Sequence, residues 1–374
     1  MEIPFIDLKS QYDLLNDQIQ TSINKVLDHG KFINGPEVSI FEQKLKEYTS
    51  AKYAVTCANG TDALAISLLA LNVKSNDAVF VPSFTYIASA ESIALVGGVP
   101  YFVDVSEDYN ICTKSLRVAI QDAKNNKHNP KIVIPVDLFG KPSISNELTS
   151  LLNEFNLNVI YDSAQSFGAS HNNKKIGSFG DLTTTSFFPA KPLGCYGDGG
   201  AIFTNDKNLA MLIISIKNHG MGNHKYEHIN IGMNSRLDTI QAAILIEKIK
   251  LLDEEIIKRN NLANSYNKML LNSEYILPEL SKNHDYAWAQ YTIRHKKRDS
   301  IIKFLSSKGI PTGIYYPIPL NQQQAYKDCF VVSSGIKNTE KYCKEVFSIP
   351  MSPYLKKTQQ EYIVQTLLQA CEIL

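Results

Sequence analysis

A lysine flanked on both sides by apolar, strand-like sequence is unusual, because lysines mostly sit on solvated surface. In the segment 181–204, DLTTTSFFPAKPLGCYGDGGAIFT, Lys191 is the only charged residue between Leu182 and Gly197. Pro192 disfavours helical geometry at Lys191 and Pro189 stiffens the approach, so the spacing predicts a rigid turn at a strand end. Open α/β sheets keep their active sites at such carboxyl ends. Partial burial there lowers an ammonium's pKa and yields the neutral amine that a carbonyl-directed nucleophile needs. A lysine snorkelling from a strand end accounts for the segment equally well.

Asp162 closes the apolar run of NVIYDSAQSFGA, 158–169, and falls at the same kind of edge. A buried carboxylate needs a cation or several donors. A pyridinium nitrogen would serve, since an Asp beside it keeps the ring an electron sink. Taken alone, an Asp before small residues reads more simply as a helix N-cap. Asn59-Gly60-Thr61-Asp62 leads straight into ALAISLLAL. Gly60 permits a tight turn, and the free amides of a first helical turn make an anion site that a phosphate fits, as does an ordinary Thr or Asp cap. Tyr86, in VPSFTYIAS, follows the apolar run 79–81 and could cover a flat ring, although core packing is the commoner fate of a tyrosine.

The elements that must position these residues are short apolar runs at 54–57, 78–81, 100–103, 131–136, 158–161, 183–188 and 201–204. Most are too continuously apolar for a half-exposed sheet and fit strands buried on both faces. Helix-length segments at 61–71, 115–123 and 144–155 lie between them, which predicts an α/β fold with a mostly parallel sheet. Residues 237–259 read as one long helix with two apolar stripes, packing on two neighbours, with a partner subunit as one candidate. Beyond it, a strand at 291–294, a helix at 300–308, the stretch GIPTGIYYPIPL and an amphipathic tail predict a small α+β domain. The expected division is a large domain over 1–255 and a small one over 256–374.

Composition excludes several classes of function. The 374 residues are 44% hydrophobic and 20% charged, with 38 Lys plus Arg against 37 Asp plus Glu, a net charge of +1. Nucleic-acid and membrane-surface binders need a basic excess that is missing here. No run reaches the roughly 18 apolar residues of a membrane span. Glu2 and Asp7 stand where a signal peptide would be basic and then apolar. Six scattered cysteines (57, 112, 195, 329, 343 and 371) without a CxxC pair suggest reduced thiols in a cytoplasm. There is no GxGxxG after a strand, no GxxxxGK[ST] and no GxSxG. His219, His224 and His228 show loop-like spacing without an acidic second shell, so no metal is expected.

Taken in order, NGTDAL, PSFTY, DSAQSFGA, TSFFPAKPLGCYGDGGAIFTND, HG, IGMNSRLDTIQAAIL and YYPIPLN resemble the pyridoxal-phosphate-dependent sugar aminotransferases of the DegT/DnrJ/EryC1/StrS family. FIDLKSQY and GPEVSIFE belong to the same pattern, so the resemblance runs from about residue 4 to 355. SFFPAKPLGCYGDGGAIFTND and YPIPLN are most similar to enzymes that aminate C3 of a UDP-2-acetamido-3-keto-glucuronate for O-antigen or capsule sugars. The resemblance implies a fold-type I, aspartate-aminotransferase-like homodimer in the cytoplasm, with pyridoxal 5'-phosphate at the subunit interface. By matching motif, Lys191 would carry the cofactor covalently and then move the substrate proton, and Asp162 would pair with the pyridine nitrogen. Gln165 would touch the ring hydroxyl and Tyr86 would stack on the ring. Gly60, Thr61 and Ser186 would hold the phosphate from one subunit, and Asn234 would reach it from the other.

The implied partners are L-glutamate as amino donor and a keto sugar nucleotide as acceptor, with Arg236, Tyr315 and Tyr316 as sugar contacts. Tyr315 stands where the relatives have His, which removes a cation beside the expected uronate carboxylate. The loop 221–225 is one residue longer than theirs. A C4-keto sugar nucleotide, a small phosphorylated ketone and a non-catalytic regulator that binds the cofactor remain as other readings. Lys191, rather than the His of the sugar dehydratases on this fold, favours transamination.

Overall fold

Strand β2 (Asp77–Pro82) shows why the centre of the chain becomes a covered sheet: every one of its residues is buried. Val79 and Val81 pack into one apolar cluster and Ala78 and Phe80 into another. Period-two side chains that are apolar on both faces demand a layer of helices on each side. The computed structural model of the chain describes residues 2–224, 226–280 and 285–373.

The sheet also contains β1 (Tyr53–Cys57), β3 (Val99–Val103), β4 (Asn129–Val133) and β5 (Asn158–Asp162). After the two-residue strands β6 (Ser170–His171) and β7 (Lys174–Lys175) come β8 (Leu182–Ser186) and β9 (Gly200–Thr204). With the edge strand β11 (Phe330–Val331), which follows β10 (Tyr291–Arg294), the order is β1-β9-β8-β5-β4-β2-β3-β11. Only β9 runs against its neighbours. The remaining strands are parallel and end at one edge, where Cys57, Pro82, Asp162 and Ser186 lie.

On one face the core is closed by α3 (Gly60–Ala70) and α7 (Lys207–Lys217), with Leu64, Leu68, Ile213 and Ile216 against Ile160 and Ile202. On the other, α5 (Thr113–Asn125) and α6 (Asn146–Phe155) bring Leu116, Ile120, Leu148 and Leu151 against Phe80 and Val159. The fold is the expected α/β architecture with a mixed, mostly parallel sheet. Two N-terminal helices that the apolar pattern did not reveal, α1 (Leu8–His29) and α2 (Pro36–Thr49), complete it.

The helix expected over 237–259 is two helices, α8 (Thr239–Lys248) and α9 (Leu252–Leu270), joined by a 3-10 turn at Ile249–Leu251. Asp253, Glu254 and Glu255 sit in the first turn of α9, where carboxylates complement a helix N-terminus. A 3-10 turn keeps the chain winding, so the apolar stripes run through the break without recording it. The neighbours of α8 are α1 and α2 of the same chain.

A second core forms where β10 pairs antiparallel with β12 (Val346–Ile349). Tyr266, Trp288, Ile293, Ile301, Phe347 and Leu367 belong to it. The helices behind them are α9, α10 (Arg298–Ser307) and α12 (Lys357–Ile373). The chain between returns to the large sheet: Leu320 N–H donates to Ser83 O (2.9 Å) and Val332 N–H to Phe102 O (3.0 Å).

Lys248 is buried at the end of α8, with its ammonium 4.7 Å from the centroid of the Tyr196 ring. Burial drives its pKa down to about 8, against the opposing pull of Glu255 and Cys195. Between that value and the ordinary lysine pKa, the unfolded chain binds a proton that the folded chain does not, so stability rises with pH across that window. Lys248→Met should therefore stabilise the protein at pH 7 by on the order of 2–3 kcal/mol. The gain over the parent should shrink between pH 8 and 10.5 in chemical denaturation; a gain independent of pH would refute it.

Candidate active site

Lys191 sits in the loop between β8 and β9, and that loop is closed by its own backbone. Phe187 N–H donates to Gly199 O (2.7 Å), Lys191 N–H to Phe188 O (2.9 Å) and Cys195 N–H to Phe187 O (2.8 Å). A Cβ on Gly194 would lie 2.4 Å from Pro189 O, so only glycine lets the loop fold back on itself. The strand therefore ends at Ser186 rather than at residue 188, and the expected rigid turn begins there.

Asp162 is the last residue of β5 and is buried. Its Oδ2 accepts from Ser89 Oγ (2.8 Å), at the start of α4 (Ala88–Leu95), and its Oδ1 from Ala164 N–H (3.3 Å). A turn rather than a helix follows, so Asp162 is not a cap. Desolvation raises its pKa, opposed by those two hydrogen bonds and by the charge of Lys191. Desolvation lowers that of Lys191, opposed by Asp162. Each group is the other's charged neighbour at one strand edge, and burial moves both toward neutrality.

Beneath this pair is Asp137, fully buried, which sequence reasoning did not single out. Its carboxylate accepts from Ser143 N–H (2.8 Å) and from the hydroxyls of Ser143 (2.6 Å), Ser163 (2.7 Å) and Ser166 (2.5 Å). Four donors offset much of the cost of burying the charge and fasten the turn that begins at Asp162. Desolvation nonetheless raises its pKa. Gln165, in that turn, accepts from Phe139 N–H (2.7 Å) and donates to Tyr316 Oη (3.3 Å). Neither Ser89 nor Asp137 carries a local signal in the sequence, because each acts on a residue distant in the chain.

Tyr316 lies close enough to Asp162 to feel its charge, and burial pushes its hydroxyl pKa well up. The Tyr86 ring, 57% exposed, is 6.0 Å from that of Tyr316, so it is no core tyrosine. Tyr315 packs 5.9 Å from Tyr316 and 6.2 Å from Phe5. The structure thus brings Lys191, Asp162, Gln165, Tyr86, Tyr316 and Tyr315 into one neighbourhood.

Gly60 and Thr61 open α3 at the same sheet edge. The cap is Asn59, whose side chain takes the Asp62 N–H (2.8 Å), and the N–H groups of Gly60 and Thr61 have no partner among the described residues. A Cβ on Gly60 would lie 2.8 Å from Ser186 Cβ, so Ser186 stands directly over this helix end. Asn234, exposed, and Arg236, half-buried, flank Ser235, whose Oγ accepts from Ala58 N–H (3.1 Å) just before the turn. No hydrogen bond or ion pair joins Asn234 or Arg236 to Lys191 or Asp162. Of the loop 221–225, Lys225 lies outside the described residues.

His219, His224 and His228 form no ligand set; the one grouping of metal-binding side chains among the described residues is Glu274, His295 and Cys371. There the Nδ1 of His295 accepts from Lys297 N–H (3.0 Å) and its Nε2 faces Glu274 (3.4 Å). The proton is thus fixed on Nε2, leaving no lone pair toward the group.

The donor set fits pyridoxal phosphate: two unclaimed amides and a hydroxyl at a helix start for the phosphate, a buried carboxylate for the ring nitrogen, and an amine for the aldehyde. The family described as the DegT/DnrJ/EryC1/StrS aminotransferase family matches residues 13–368. The chain is 42% identical to the UDP-2-acetamido-2-deoxy-3-oxo-D-glucuronate aminotransferase of Pseudomonas aeruginosa, over 98% of this chain and 99% of that protein. It superposes on a DegT DnrJ EryC1 StrS aminotransferase from Brucella abortus with a TM-score of 0.97 and 43% identity, covering 99% of this chain and 100% of that one. NtdA from Bacillus subtilis, solved with its bound cofactor PMP, matches with a TM-score of 0.89 and 30% identity, over 99% of this chain and 85% of that one. This chain belongs to the DegT/DnrJ/EryC1/StrS aminotransferase family and is a pyridoxal-phosphate-dependent aminotransferase.

Proposed function

We propose that this aminotransferase moves an amino group from L-glutamate to C3 of a UDP-linked 2-acetamido-3-keto sugar, one step in making a surface polysaccharide such as an O-antigen or capsule. The observation that carries the reading is the buried Asp162–Lys191 pair beside an open helix N-terminus, in a chain 42% identical to an enzyme named for a 3-oxo sugar nucleotide.

Bound pyridoxal phosphate supplies an electron sink for the pair left on carbon when a proton departs. Lys191, its ammonium disfavoured by burial, takes that proton from the donor carbon and returns one to the sugar carbon. Asp162 holds the proton on the ring nitrogen, and Ser89 fixes the carboxylate's direction. Gln165, clamped between Phe139 N–H and Tyr316, would meet the ring hydroxyl. Gly60, Thr61 and Ser186 would hold the phosphate, with Asn234 of a second subunit, and Tyr86 would cover the ring. Exposed Ile229 (65%), Ile231 (91%) and Phe188 (52%) support burial against that second subunit in a homodimer. The same reading places the domain division near residue 255 and the enzyme in the cytoplasm; no helix among the described residues is long and apolar enough to cross a membrane.

Arg236, Tyr315 and Tyr316 are the sugar contacts of this reading. Tyr315 offers a hydroxyl where a histidine would offer charge, so a neutral 3-keto sugar should be aminated faster than its uronate. The purified protein should show a visible cofactor band that glutamate bleaches and a UDP-linked 3-keto sugar restores. A band indifferent to glutamate would overturn the donor, and restoration only by C4-keto sugars or small keto phosphates would overturn the acceptor.

A further inference from the structure

A cavity of about 350 Å³ lies between the large sheet and the β10–β12 unit. Phe139 and Tyr109 line it from one side; Leu277, Trp288, Gln290 and Arg294 line it from the other. It shares no side chain with the site at Lys191; Phe139 alone touches both, its N–H holding Gln165 while its ring borders the cavity.

Arg294 is only 8% exposed, yet its Nε and Nη1 have no hydrogen-bond partner among the described residues. It stacks on the Tyr342 ring (4.4 Å) and lies over Tyr109 (5.8 Å), and the Tyr342 hydroxyl is a hydrogen-bond partner of the guanidinium, yet Nε and Nη1 stay unpaired among the described residues. Gln290 Oε1 on the same wall is also without a partner among the described residues. Such groups are costly unless something bonds them. Lys141, the other cation of the wall, is already paired with Asp108 (3.0 Å) and Glu279 (3.1 Å). Two aromatic residues of the wall hold left-handed backbone, Phe139 at φ 60° and Trp288 at φ 45°, and such departures gather at ligand clamps.

We propose that this cavity binds a small monocarboxylic acid with an apolar or aromatic body. The planar guanidinium of Arg294 matches a carboxylate, and the Gln290 amide, turned so that Nε2–H replaces the unpaired Oε1 at the cavity, donates a second hydrogen bond. Phe139, Leu277 and Trp288 receive the carbon skeleton. Asp108, Glu279 and Glu107 on the rim disfavour a phosphate or a dicarboxylate, which would bring a second negative charge.

Trp288 is the only tryptophan of the chain, so its emission reports on the cavity directly. The holoenzyme is titrated with 3-phenylpropionate, its neutral amide and inorganic phosphate, by Trp288 emission and calorimetry. The acid should bind saturably, and the amide at least tenfold more weakly. Arg294→Gln should lose at least tenfold in affinity for the acid. Gln290→Leu, which disturbs no hydrogen bond of the fold, should weaken it severalfold and serves if the arginine variant does not fold. Lys191→Ala should bind the acid unchanged, whatever the outcome for transamination. Equal affinity for acid and amide, tighter binding of phosphate, an unchanged Arg294→Gln, or loss of binding in Lys191→Ala would each overturn the assignment.

Discussion

Lys191→Ala should lose transamination by at least about a thousandfold while remaining folded, because it removes the one group placed to move a proton between carbon atoms. Two effects oppose each other in its stability. The lysine is held against desolvation, so its removal relieves a cost, but Asp162 loses a cation that favours its charge. The melting temperature should therefore change little. Stopped-flow bleaching of the visible band by glutamate would be replaced by a band that does not respond. Methylamine, small enough for the space vacated, should restore part of the rate in proportion to its free-base concentration. Full activity in the variant would remove Lys191 from the chemistry and return it to a strand-end lysine.

Asp162→Asn should lower the rate by about a hundredfold to a thousandfold, the usual scale for removing one preorganised electrostatic partner. The amide oxygen still accepts from Ala164 N–H, and the amide NH2 in place of Oδ2 donates to Ser89 Oγ, which turns from donor to acceptor, so the local fold survives. The sign of the stability change follows from the raised pKa. A carboxylate whose folded pKa lies above its unfolded value binds its proton more tightly in the folded state, and that stabilisation is lost as pH rises through the folded pKa. Above that folded pKa the cofactor-free parent carries the cost of the buried charge, and the Asn variant does not. The variant should be at least as stable as the parent without cofactor, yet far slower with it. A slow variant that is also markedly less stable would reduce Asp162 to a structural role.

Much of the site was legible because its residues sit where local sequence changes character. Lys191 stands between two prolines after an apolar strand, Asp162 ends another, and Gly60 opens a helix directly after a third. Each such junction is set by conformational preferences within a few residues. The α/β layering was legible for the same reason, since strands buried on both faces need helices on both sides. What local pattern could not supply was the break between α8 and α9, which leaves the apolar stripes intact, and the helices α1 and α2, whose faces are mixed.

Local sequence was enough for the strands, their covering helices, the lysine turn and the carboxylate at the strand end. Only the tertiary structure decided which hydroxyl orients Asp162, which carboxylate anchors its turn and which amide holds Gln165. Ser89 comes from the start of α4 and Asp137 and Phe139 from the one segment that follows β4, 73, 26 and 26 residues away from their partners. The sheet order also puts β5 beside β8 and so makes Asp162 and Lys191 neighbours. Such contacts depend on which strands pair and on how far each extends, and those are settled by burying the whole core at once rather than by any residue's own preference.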